Sequence, residues 1–246
     1  MSTLSSSRKS TLQLDISTWY SSTWAAQIFA LKLSNELLKV IFQIKVIIKS
    51  VLGYVYSEAV VSHYIKQIFE AIRYCHLNDI IHRDLTPMCV LLQNKEIKAP
   101  VKLGRFGLAI KCTDGQTIQA GAVTTAHFMA PEMVRDEPYG KPIDIWSCGV
   151  ILHLLLSGTL PFVGSGSKLT KSIQRGHLPM SSTAWSLVSD SAKNLVKRML
   201  TPSAQERITI TEALSHPWIL DRKRVCMNTH LPQTIDNMKK VSLFKK

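Results

Sequence analysis

No glycine precedes Gly53 in this chain of 246 residues. A glycine-rich loop that cradles phosphates with its backbone N–H groups therefore cannot be encoded in the first fifty residues. No run of five or six like charges occurs, which excludes the solvated tails that such blocks form. None of the five cysteines, Cys75, Cys89, Cys112, Cys148 and Cys226, stands in a C-x-x-C pair. An odd count with no such pair points to a reducing, cytoplasmic compartment and excludes a disulfide framework. The N-terminus lacks a secretory core, because Thr11 to Tyr20 is polar and carries Asp15. A long uninterrupted apolar run is also missing. Trp24 to Ile48 comes nearest, but Lys32, Glu36, Lys39 and Lys45 break it, so no transmembrane span is expected.

Basic charge is present in excess, at +13, and its placement decides its meaning. Residues 1–53 hold six basic and two acidic residues, and residues 222–246 hold seven and one. The stretch 54–221 holds 17 and 14 and is nearly balanced. Nucleic acid is not expected as a partner, because its footprint is a basic face rather than two basic ends. With 46% apolar and 19% charged residues, the chain has the composition of a protein with a buried core.

The organisation falls into three parts. Residues 1–53 are an unassigned segment, Ser/Thr-rich to residue 23 and then apolar, with one or two irregular helices expected over 24–52. From Ser57 the pattern sharpens. Val61, Ile65, Ile68, Phe69, Ile72 and Cys75 recur at helical spacing, with Ser57 as cap and an end near His76. Ile80-Ile81, Val90-Leu91-Leu92, and Val101 with Leu103 suggest short strands, and a long loop follows to about Thr125. Asp144 to Leu156 is apolar on nearly every side, which implies a central helix, and Gly158 suits its C-terminal stop. Further helices are expected near Ser189–Met199 and Thr211–Ser215, the latter with a Thr209/Glu212 capping box. The basic tail spans 221–246. The body is thus mainly α (α+β family), with a few short strands around one loop.

Five elements stand in order along this body. They are His82-Arg83-Asp84, the Gly104-Arg105-Phe106-Gly107 turn, Ala130-Pro131-Glu132, Asp144-Ile145-Trp146 and, downstream, Arg207. Each is weak alone; together they resemble the large-lobe signature of the protein kinase superfamily over 54–220. The match is nearer to the calmodulin-dependent kinase group. Within it, Val55–His76, Pro100–Ile110, His127–Gly158 and His216–Leu220 resemble the kinase-like domain of the membrane-associated guanylate kinase scaffold family. The resemblance implies a kinase large lobe whose small lobe is missing or replaced. Phe42-Gln43-Ile44-Lys45 only loosely matches the V-A-I-K strand, and no acidic residue is placed to pair with Lys45.

The resemblance also assigns residues. Asp84 matches the carboxylate that takes or orients the substrate hydroxyl proton. Thr86 stands where a phosphate-neutralising Lys is usual, Cys89 where an Asn binds metal, and Arg105 where an Asp binds metal. Asp84 can therefore be read as a base or, preferably, as a carboxylate that holds its loop. Leu91 matches the residue beneath an adenine ring and reads equally as core. His82 and Phe106 match packing positions. Glu132 and Arg207 match a buried ion pair, and Asp144 a carboxylate bracing the catalytic loop. Arg83 could receive a phosphate on Thr113, Thr117, Thr124 or Thr125. Cys89 reads as an inert thiol.

Thr125 is kept from the family's Gly-Thr-Pro, but Thr124 and Ala126 replace its neighbours, so substrate docking is weakened. In the tail, Thr234 matches a regulatory phosphorylation position, with Leu231 where a basic residue is usual. Val241, Leu243 and Phe244 beside Lys239, Lys240, Lys245 and Lys246 form part of a basic amphipathic helix, which implies a weakened calmodulin contact. The expectation is a catalytically impaired kinase-like domain that binds protein partners. It has no metal site, and ATP binds at most weakly, without magnesium. The alternative is a Ser/Thr kinase with weak or metal-free activity. Family resemblance adds the cell membrane or cell junctions to a cytoplasmic location.

Overall fold

The computed structural model describes residues 56–94, 99–119, 121, 125–226 and 228–243. They belong to the larger of two compact units, Leu37–Lys246. Segment 1–53 with Lys45, the state of the small lobe, Thr124 and residues 244–246 lie outside the described residues.

Helix α1, Glu58–Leu77, buries the apolar face that the sequence pattern marks, from Val61 to Cys75. Ser57 sits at the N-cap with extended backbone, but its side chain makes no capping bond. The anchor is Glu58 instead. This buried carboxylate accepts from Trp218 Nε1 (2.8 Å), Ser189 Oγ (2.8 Å) and the Ser189 N–H. An acidic side chain this deep requires such saturation, because each unpaired buried oxygen would cost free energy.

Strand β1 (Ile80–Ile81) follows, then a 3₁₀ turn at Pro87–Cys89, then β2 (Val90–Leu92) and β3 (Val101–Leu103). A second 3₁₀ turn, Phe106–Leu108, leads to β4 (Ile110–Lys111). The strands pair antiparallel as β1–β4 and β2–β3, with Ile81 opposite Ile110 and Val90 opposite Leu103. Two-stranded ribbons this short are not stable alone. Their function is placement: both pairings bring the loop 82–89 against the turn 104–109.

Helix α2 is Pro131–Val134, and α3 runs Pro142–Ser157. Every residue of α3 from Ile143 to Ser157 is buried, as an all-round apolar pattern demands. Helices α4 (Gly166–Arg175), α5 (Asp190–Met199), α6 (Ile210–Leu214), α7 (Pro217–Leu220) and α8 (Arg222–Val225) follow, and α9 (Pro232–Leu243) ends the described chain; α3 packs against α1, α5 and α9. The Thr209/Glu212 capping box forms on α6 in both directions. Helix α4 is not anticipated by the sequence pattern. Its two buried apolar residues, Leu169 and Ile173, are too few to stand out among Gly, Ser and Thr. The architecture is helix-rich with few strands, as expected.

The tail is docked. Leu231 N–H donates to Tyr56 O (2.8 Å), Asn237 Nδ2 to Ser157 O (2.9 Å), and Thr234 Oγ1 to Leu156 O (2.6 Å). Thr234 is fully buried. Its hydroxyl reaches a kinase only if α9 leaves its seat.

Gly158 makes that seat. It ends α3 at φ +74, and a Cβ there would lie 2.3 Å from Thr234 O. Gly158→Ala is therefore expected to displace α9, with left-handed strain adding about 1–2 kcal/mol. Amide exchange at Leu231 and from Thr234 to Met238 should speed at least tenfold while the centre of α3 stays protected. Unchanged exchange in the tail would show that the contact is looser than the geometry says.

Candidate active site

Asp144 organises the site from the first turn of α3, where it is buried. One carboxylate oxygen accepts from His82 N–H (2.9 Å) and from His76 Nε2 (3.0 Å). The other accepts from Arg83 N–H (3.0 Å). Arg83 lies at φ +70, an unfavourable region for a side-chain-bearing residue. The Asp144 bond to its N–H helps hold it there. His76, at the end of α1, is a partner that the sequence reading passed over. Its place at a helix terminus was visible, but not its distance from Asp144.

His82 is fixed at both ring nitrogens. Nδ1 accepts from Asp84 N–H (3.3 Å), so Nε2 carries the proton and donates to Gly104 O (2.9 Å). Its ring meets Phe106 at 4.8 Å between centroids. The loop bearing Asp84 is thereby tied to the turn bearing Arg105. Gly104 N–H also donates to Cys89 O (2.8 Å), completing the link. Asp84 is half-buried, and Arg105 is exposed at φ +65.

Thr86 caps the 3₁₀ turn, its hydroxyl accepting from Met88 N–H (3.3 Å). Cys89 is buried; its Sγ donates to Asp84 O (2.9 Å) and lies 3.8 Å from Thr86 Oγ1. Burial pushes the Cys89 thiol up to about 11, partly offset by the Thr86 hydrogen bonds. It is neither a thiolate nucleophile nor a ready ligand. Leu91 is partly buried on β2, its Cδ1 3.4 Å from where a Gly104 Cβ would lie.

These residues do not fit magnesium, a hard cation that takes oxygen ligands. Cys89 offers a protonated sulfur already used as a donor, and Arg105 offers positive charge. Among the described residues, no group of three His, Cys, Asp or Glu could hold a metal ion.

Away from the loop, Arg207 is bound through all five N–H donors. Nη1 reaches Glu132 Oε1 (2.7 Å) and Pro142 O (2.9 Å). Nη2 reaches Glu132 Oε2 (2.9 Å) and Pro202 O (3.3 Å), and Nε reaches Thr201 O (3.0 Å). The guanidinium also lies over Trp146, 5.1 Å from the ring centroid. Arg83 packs toward Tyr139 (5.9 Å) and donates through Nη1 to Leu108 O (3.4 Å), while its buried Nε has no partner. Thr125 stands at the start of the 3₁₀ turn Ala126–Phe128, half-buried. The structure brings His82 against Phe106, two residues expected only as packing positions, and joins Glu132 to Arg207, the expected ion pair. Thr234 lies apart from the loop, in the first turn of α9 against the end of α3.

No helix among the described residues is long and apolar enough to cross a membrane. Residues 33–219 match the protein kinase domain family. The match begins inside segment 1–53 and includes Lys45. The rabbit (Oryctolagus cuniculus) calcium/calmodulin-dependent protein kinase type II subunit delta is 44% identical over 192 residues, 78% of this chain and 36% of that protein. The Drosophila melanogaster calcium/calmodulin-dependent protein kinase type II alpha chain is also 44% identical over 192 residues, with the same coverage of each chain. The chain thus spans about a third of the length of these relatives. With a braced His82-Arg83-Asp84 loop, a saturated Glu132–Arg207 pair and this match over most of its length, the chain belongs to the protein kinase family, in company with its calmodulin-dependent group.

Proposed function

We propose that this chain is a catalytically impaired kinase-like domain, a pseudokinase, that acts through protein partners. The observation that carries the reading is Arg105 and Cys89 at the two positions where the resemblance requires metal ligands. Phosphoryl transfer depends mostly on positioning and on neutralising charge at the transferring group. Losing one such charge partner typically costs about 3 kcal/mol in the transition state. Here Thr86, Cys89 and Arg105 remove three. The braced loop survives as a structural element. Its nearer resemblance to the scaffold kinase-like domains supports a binding role in the cytoplasm or at cell junctions. ATP then binds at most weakly and without magnesium, and calmodulin meets only a weakened tail.

One observation favours a second reading, a Ser/Thr kinase of weak, metal-free activity. Asp84 stays on a loop whose backbone is held at His82, Arg83 and Asp84, which supports a carboxylate still positioned to orient a substrate hydroxyl. A radiolabelled phosphate-transfer assay on a general basic substrate separates the two, run with magnesium and with a chelator. The expected result is incorporation no higher than that of Asp84→Asn under either condition. Turnover in magnesium that Asp84→Asn abolishes would overturn the proposal. Turnover confined to the chelator arm, and lost in Asp84→Asn, would establish the second reading.

A further inference from the structure

From Ile145 to Ser189 the sequence contains no acidic residue, yet it contains Lys168, Lys171 and Arg175. All three lie on α4, at spacings of three and four, so they share one face. The opposite face holds Leu169 and Ile173, buried against the body. Lys168, Lys171 and Arg175 are exposed, and their side chains make no ion pair or hydrogen bond among the described residues. The acids on or just after α2, which packs on α4, are mostly committed elsewhere. Glu132 is held by Arg207, and Glu137 by Arg135 at 2.7 Å, leaving Asp136. Val163, 69% exposed, precedes the helix, and His127 of the preceding 3₁₀ turn hydrogen-bonds the backbone at Gly164.

We propose that this face of α4 is a docking surface for an acidic, extended segment of a partner protein. Charge complementarity selects the occupant. The stripe runs about 10.5 Å along the helix axis. Carboxylates at alternate positions of an extended segment recur about every 7 Å, so two or three of them can meet the three cations. A membrane is the poorer fit, because an interfacial helix needs an apolar face free to insert, and here that face is buried in the body. Nucleic acid is poorer too, because three cations release few counterions and no exposed aromatic ring lies among them for a base to stack on. The surface is separate from the loop of Asp84, so the proposal goes beyond the catalytic reading and stands whether or not phosphate is transferred.

Fluorescence anisotropy with labelled octaglutamate at low salt tests it on the whole chain. Octaglutamate should bind, octaglutamine should not, and 0.5 M salt should weaken binding at least tenfold, since exposed charges are screened within about 8 Å at physiological salt. The charge-reversed K168E/K171E/R175E chain should lose at least tenfold in affinity. R222E/K223E/R224E, which reverses a second basic cluster on α8, should retain affinity within twofold. Undiminished binding by the α4 variant overturns the proposal, as does loss confined to the α8 variant. So does stripe-dependent binding of phosphatidylserine vesicles or a single-stranded oligonucleotide without binding of octaglutamate. If the reversed chain does not fold, amide exchange on the unaltered chain decides. Peptide-induced protection across 163–177 supports the site, and protection elsewhere refutes it.

Discussion

Glu132→Ala is expected to remove about 3–5 kcal/mol of stability, a large part of what a domain this size has. The size follows from what is left behind. Arg207 is buried, and its charge is balanced only by Glu132, through two bonds of 2.7 and 2.9 Å. Without the carboxylate, two guanidinium N–H groups and a full charge lie in a site that water cannot easily enter. Arg207→Lys should cost nearly as much, because an ammonium cannot supply the planar fork that also reaches Pro142 O, Pro202 O and Thr201 O. Glu132→Gln should fall between, keeping one acceptor and the volume. Urea unfolding followed by far-ultraviolet circular dichroism measures all three. A loss below about 1 kcal/mol in Glu132→Ala would place this pair with exposed ion pairs and contradict its burial.

This pair also shows where sequence reading succeeds and where it stops. Glu132 and Arg207 were legible only as motif positions, far apart in the chain, and no periodicity connects them. The fold brings α2 and the segment before α6 to the same side of α3. Helices α1 and α3 were legible physically, because one apolar face, or apolar residues all round, declares itself in spacing. Helix α4 was not, since two apolar residues among glycines and serines carry no period. Ser57 illustrates a different limit. The residue type favours a cap, yet the anchoring bonds come from Glu58 to Ser189 and Trp218, more than a hundred positions away. At the candidate site, the family resemblance marks Thr86, Cys89 and Arg105 as departures from the kinase pattern. It could not say that Cys89 would spend its proton on Asp84 O, nor that His76 would share Asp144.

Asp144→Asn should be almost as damaging as Asp144→Ala, although the amide is nearly the same shape. The carboxylate accepts from three donors, two at one oxygen and one at the other. An amide has only one acceptor oxygen. Turned toward His76 and His82, it sets its own N–H₂ against Arg83 N–H. Turned toward Arg83, it sets N–H₂ against the other two. Either way a buried donor faces a donor, and charge-assisted bonds are replaced by repulsion. A loss of about 3–5 kcal/mol is expected in urea unfolding. The local consequence is more diagnostic than the total. Arg83 holds φ +70 partly through its N–H bond to Asp144, so the backbone there should relax and the loop loosen. His82 would then lose its registration with Gly104 O and Phe106, and Asp84 its fixed place. Amide exchange at His82 and Arg83 should approach the rate of an open loop, while the buried centre of α1 stays protected at mild denaturant. If Asp144→Asn keeps its stability within about 1 kcal/mol and both amides stay protected, another group braces the loop, and the role assigned here to Asp144 is wrong.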